Sequence, residues 1–115
     1  MKTFLFAGLI LMLAACSTDQ IPFQKSGWME KSNFMYTRRL QMIDDLTENH
    51  KLTGIKTKSL FEMLGPPDNG DAGKFSYTLT VELGTESRPT YLKSLVFDVG
   101  ADSVVQTYRI EEFQQ

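Results

Sequence analysis

The chain has 115 residues, length for one domain and no more. Hydrophobic residues make up 42% and charged residues 23%, ordinary globular proportions that argue against wholesale disorder. A formal net charge of −2, with Arg38-Arg39 the only adjacent basic pair, argues against nucleic acid as a partner, because phosphate binding needs a clustered basic surface.

Met1–Ala15 reads as an export signal and not as part of the fold. Lys2 supplies a minimal positive region, and Phe4–Leu13 is an apolar run too short to span a bilayer as a helix. It ends in Leu13-Ala14-Ala15-Cys16, which resembles the lipobox of bacterial lipoproteins, and Cys16 is the only cysteine of the chain. The resemblance implies cleavage before Cys16 and acylation, palmitate included, of its sulfur and new amino group. Cys16 would then be the lipid attachment site, neither a disulfide partner nor a nucleophile. Several acyl chains anchor durably where one holds only marginally. Ser17 follows the cysteine, and in such lipoproteins serine at that position favours the outer membrane. The expected address is the periplasmic face of the outer membrane.

Residues 16–32 are expected to form the acylated cysteine and a flexible tether, since Pro22, Gly27 and several serines interrupt a polar stretch. Ile21, Phe23 and Trp28 are its apolar exceptions. A tryptophan there can rest at the membrane interface, fold back onto the domain, or mark a partner site.

The folded domain is expected over 33–115. Its first helix is predicted over Asn33–His50, capped by Ser32 or Asn33. Met35, Arg39, Met42, Ile43, Leu46 and His50 share one stripe at spacings of three and four. Arg39 lies within that stripe, so its head is expected to snorkel outward or to pair with a carboxylate of the sheet. His50, the only histidine, has no cluster of cysteines or acids at metal-ligand spacing, and suits a helix C-terminus as a charge. A second helix is predicted over Lys56–Leu64, with Gly65 ending it and Pro66-Pro67 forbidding continuation.

After a loop over Asn69–Gly73 the period changes to two. Phe75, Tyr77, Leu79, Val81 and Leu83 alternate with polar residues in the first predicted strand. Thr90–Val99 and Ser103–Ile110 follow as two more, separated from the first by the polar loop Gly84–Pro89. Order and periodicity give an α+β fold, with two helices packed on one face of a three-stranded antiparallel meander. On the other face, strict alternation places Leu92, Val96 and Val105 among polar residues, beside Arg109. With Trp28, these are the candidate partner-binding residues.

Gly54-Ile55, the stripe at Leu60 and Leu64, and Leu64-Gly65-Pro66-Pro67-Asp68 resemble the signature of the SmpA/OmlA (BamE-like) family of small outer-membrane lipoproteins. Phe75-Ser76-Tyr77 and Leu95-Val96-Phe97-Asp98 continue the likeness, which covers about Leu52–Ile110. Ile55 stands where that family has methionine, and Lys56 where it has a capping threonine. The resemblance implies an ααβββ domain acting as a non-catalytic, lipid-anchored interaction module in assembly or integrity of the cell envelope. Its partners would be the membrane, through Cys16, and an envelope or outer-membrane protein complex. The chain lacks the family's glutamine-glycine-asparagine stretch before the first helix, which implies a divergent member. No nucleophile–base pair, phosphate loop or dinucleotide fingerprint points to an enzyme, a cofactor or a metal. The alternative is a small lipoprotein that binds a ligand or inhibits a periplasmic hydrolase, with Gly84–Pro89 as its inhibitory loop.

Overall fold

The computed structural model describes residues 19–115. The export signal and the lipid attachment expected at Cys16 lie outside the described residues. No helix among those described is long and apolar enough to cross a membrane.

The chain enters the domain well before residue 33. Ile21 N–H donates to Gln41 O at 2.8 Å, and Phe23 N–H donates to the Asp45 carboxylate at 2.6 Å. A short helix α1 (Lys25–Trp28) then delivers Trp28 into the core at 0% exposure. The stretch expected as a tether is therefore packed from Ile21 onward, with Trp28 in the core and Ile21 and Phe23 against it. Of the three roles open to Trp28, folding back is the one observed. It does not face a partner.

The expected start of the long helix is also different. Lys31–Ser32 (β1) and Met35–Tyr36 (β2) pair as an antiparallel hairpin, and the helix α2 runs only from Arg39 to Asn49. Asn33 and Phe34 form the two-residue turn with φ of 52° and 67°. A turn of this hand matches the twist of paired strands, and asparagine tolerates it well. Neither Ser32 nor Asn33 caps a helix; Arg38 holds the N-cap position without a side-chain bond.

The second helix, α3 (Thr57–Leu64), stands where the sequence places it. Lys56 offers no side-chain cap, and the carbonyl of Ser103 accepts from the Thr57 amide at 2.9 Å instead. Gly65 ends the helix at φ 80°, ψ −176°, a region that only glycine occupies readily. A Cβ there would stand 2.7 Å from Met29 Sδ.

The main sheet has four antiparallel strands in the order β3 (Asn69–Asp71), β4 (Lys74–Leu83), β5 (Pro89–Val99) and β6 (Val105–Gln114). The fold class is α+β, as expected. It carries more than two helices and a meander, namely α1, the β1–β2 hairpin and β3. The loop expected at Asn69–Gly73 is a tight hairpin, since Asp71 pairs with Lys74 around Ala72-Gly73. Met42, Ile43 and Leu46 of α2, with Leu60 and Leu64 of α3, pack on Tyr77, Leu79, Leu95 and Phe97 of the sheet.

Three register shifts break the alternation that the sequence suggests. Extra residues stand at Leu79 in β4, at Thr90 in β5 and at Gln106 in β6. Each bulge exchanges the two faces of its strand beyond that point. Val105, expected on the open face, is in the core at 1% exposure. Val81, expected in the core, is paired with Leu92 on the open face.

Among the described residues, one charge is enclosed by this architecture. Arg39 is wholly buried. Its Nε donates to Trp28 O at 2.9 Å, and Nη1 donates to Asp68 Oδ2 at 2.7 Å and to Thr78 O at 3.1 Å. Its guanidinium carbon lies 3.2 Å from the ring centre of Tyr36 and 4.7 Å from that of Trp28. Pairing with a carboxylate is observed, and snorkelling is not.

Two outcomes follow for stability. Arg39→Leu is expected to lower it by roughly 3 kcal/mol, the low end for removing one partner of a buried pair, because Asp68 keeps the Thr78 amide. Arg39→Lys recovers only part, since an ammonium cannot reach all three acceptors; urea midpoints measure both. The second outcome concerns acid. The Phe23 amide first, and then Asn49, hold the Asp45 carboxyl below its usual 3.8. Stability from a lowered carboxyl is complete above the unfolded value and lost as pH falls through the folded one. The protection of the Phe23 amide against exchange, taken relative to the intrinsic rate at each pH, should therefore fall below pH 3.8, and Asp45→Asn should remove that pH dependence.

Candidate interaction surface

The helices cover one face of the main sheet and leave the other open. On the open face β4, β5 and β6 bring Val81, Leu92 and Phe113 into direct register, one behind the other across three strands. Directly opposed residues share a face, so this row is continuous. Phe113 is 48% exposed at its outer end.

At its inner end the row runs under the β1–β2 hairpin, which lies along β4 where β3 has already stopped. Hairpin and sheet enclose a cleft of about 240 Å³. Its apolar wall is Phe34, Met35, Val81 and Leu92, and Lys31 and Asp68 are its charged lining. Tyr36 forms the base of the hairpin, where it stacks on the buried Arg39. Tyr36 thus ties the hairpin to the core. Arg39 thereby fixes the wall of the cleft as well as the edge of β4.

Phe34, at the hairpin tip, is 96% exposed. Its φ of 67° is an unusual conformation for a large aromatic side chain. A strained backbone carrying a fully exposed ring is the reverse of what stability alone selects, and such outliers gather at functional positions.

The candidate residues read from the sequence divide clearly. Leu92 is at the centre of the row. Val96 is on the open face but only 3% exposed. It stands between Ser76 and Arg109 in register, and Arg109 is tied to Asp98 and to Glu111, which lays its stem along that face. Glu111 first, then Asp98, hold the Arg109 guanidinium more firmly protonated than usual. Arg109 is thus engaged within the sheet and shields Val96 from contact. Val105 and Trp28 are core residues and cannot face a partner.

Val81, Phe113 and Phe34 belong to the surface and were not foreseen. The Leu79 bulge concealed Val81, and the last strand runs to Gln114 and not to Ile110. For Phe34 a signal was available in Ser32-Asn33, polar residues suited to a turn ahead of an apolar pair.

Chemically the surface offers apolar contact with a polar rim, suited to receiving a side chain or a small apolar moiety. Among the described residues no group of three or more histidines, cysteines or acids could hold a metal ion. His50 lies 3.5 Å from Asp45 and edge-on to Phe23. The loop Gly84–Pro89 closes on itself, with Gly84 N–H donating to Arg88 O at 2.7 Å.

No family model matches the chain, and neither a curated protein nor a solved structure matches it.

Phe34→Gly separates strain from use. Relief of the positive φ, less the extra chain entropy of glycine, should raise stability by roughly 0.5–1 kcal/mol in thermal unfolding. A fall in stability would show that the ring packs on the domain.

Proposed function

We propose that the protein is a lipid-anchored, non-catalytic interaction module of the bacterial cell envelope, working at the periplasmic face of the outer membrane. The observation that carries this reading is the Val81–Leu92–Phe113 row beneath the Phe34 hairpin, an apolar strip, half-buried at Val81 and Leu92 and exposed at Phe113, on the sheet face that the helices leave free. An envelope or outer-membrane protein complex is the proposed partner, docking an apolar segment on that strip.

The short signal ending in Leu13-Ala14-Ala15-Cys16 supports the anchor. The packing of Ile21 adds a constraint on reach. Five residue steps separate Cys16 from Ile21, a span of at most about 17 Å. The domain would therefore work close to the lipid headgroups and not at the end of a long leash. Within the fold, α2, α3, β4, β5 and β6 follow one another in ααβββ order. That order supports a divergent relationship to the SmpA/OmlA (BamE-like) lipoproteins, with the hairpin and β3 as additions.

Membrane fractionation of Cys16→Ala tests the anchor: the variant should leave the membrane fraction, and one that stays there as the parent does would sink the lipoprotein reading. Crosslinking in envelope membranes tests the surface. Leu92→Glu should lose the crosslinked partner at least tenfold while the domain unfolds at an unchanged temperature. Undiminished capture would place the partner elsewhere.

A further inference from the structure

Strand β6 is an outer edge of the main sheet, and no other strand among the described residues pairs with its free side. Exposed edges are usually blunted by charged side chains, lysine above all, by proline, by a bulge or by shortness. β6 is ten residues long and contains neither lysine nor proline; its bulge lies at the start of the strand, at Gln106, and its charges, Arg109, Glu111 and Glu112, are of both signs.

Its pairing with β5 fixes where its backbone groups point. Gln115 N–H donates to Thr90 O at 3.0 Å. By antiparallel alternation, Phe113, Glu111, Arg109 and Thr107 then turn their amides and carbonyls toward β5. Tyr108, Ile110, Glu112 and Gln114 turn theirs outward. At the start of the strand the edge is already taken, since Val105 donates to Ile55 O at 2.8 Å and accepts from Gly54 N–H at 2.7 Å. The free stretch is Gln106–Gln114, and its midpoint is Ile110.

We propose that β6 pairs antiparallel with β6 of a second copy about a two-fold axis through Ile110, joining two four-stranded sheets into one of eight strands. Centred there, Ile110 meets Ile110 of the second copy, and Tyr108 meets Glu112. All of these have outward-facing backbone groups, so about six inter-chain hydrogen bonds form. Arg109 stands opposite Glu111 of the second copy, and Glu111 opposite its Arg109, so opposite charges meet twice. Ile110, 42% exposed in the single chain, becomes covered.

Neighbouring registers fail on the same observations. A two-fold at Arg109 or Glu111 sets like charges face to face and aligns backbone groups that are already spent on β5. A two-fold at Glu112 opposes two carboxylates. A two-fold at Tyr108 runs the second strand into the Gly54-Ile55 loop. Self-complementarity of this kind is what an isologous interface requires.

The test uses the full chain in its membranes. The hydrogen-bonded pair at the two-fold sets the two Cα atoms about 5.5 Å apart, within reach of a disulfide. Under mild oxidation Ile110→Cys should yield a crosslinked dimer well above the background set by the parent, whose only cysteine is Cys16. Phe113→Cys, which faces Thr107 in this register, should crosslink at least fivefold less. Absence of an Ile110→Cys dimer, or equal crosslinking at the two positions, overturns the proposal. Arg109→Glu and Glu111→Arg give a second test that a folding defect cannot imitate. In the Ile110→Cys background each alone should lose the crosslink, and co-expressed they should restore it as a mixed dimer. Failure of that rescue also overturns the proposal.

Discussion

A buried guanidinium with aromatic faces on several sides is the constraint that organises this domain. Removing an arginine from water is costly unless its donors find acceptors. Here the acceptors come from three separate places: the carbonyl of Trp28, the carboxylate of Asp68 and the carbonyl of Thr78. The N-terminal segment, the end of the helical layer and the middle of the sheet must all be in position before Arg39 can be enclosed. Tyr36 and Trp28 then contribute ring faces to the cation. Several distant stretches of chain are thereby made to depend on one another.

That dependence explains why β3 is so short. The backbone groups of Thr78 face the same edge of β4 that β3 covers lower down. Asp68 takes over there, accepting from the Thr78 amide at 2.8 Å while Arg39 donates to the Thr78 carbonyl. An ion pair thus replaces one step of strand pairing and seals an edge that would otherwise be open. The hairpin can then lie against β4 through side chains alone, which leaves room for a cleft. Burial also pushes the phenol of Tyr77, beside Arg39, well above its ordinary value. Its hydroxyl stays a donor to Gly65 O at 2.7 Å and ties the helix stop to the sheet.

Much of this was legible in the sequence, and the losses have one physical character. Helix α3, its glycine stop and the span of β4 follow from local signals: helical spacing, a residue suited to positive φ, strict alternation. What failed was parity. A bulge is set by the fit of neighbouring strands, so nothing local at Leu79 or Gln106 announces that every side chain beyond changes face. Val105 and Val81 were exchanged between core and surface for that reason, whereas Leu92, between the bulges at Leu79 and Thr90, stayed on the face expected. The Ile21–Trp28 stretch failed differently. Its glycine, proline and serines describe a loop, and its burial comes from Arg39 and Asp45 on another element, a tertiary effect that composition does not carry.

The same geometry links the core to the open face. Tyr36 is both a lid on Arg39 and the root of the hairpin whose tip holds Phe34 in a strained turn. A hairpin with only two short strands is marginal by itself. Its position is therefore set by the cation beneath it, and so is the width of the cleft between Met35 and Leu92. Rigid support of an exposed aromatic is what lowers the entropic cost of docking. The buried charge thus has a consequence beyond stability. It holds the apolar strip in one shape, so that the proposed partner would meet a surface already formed.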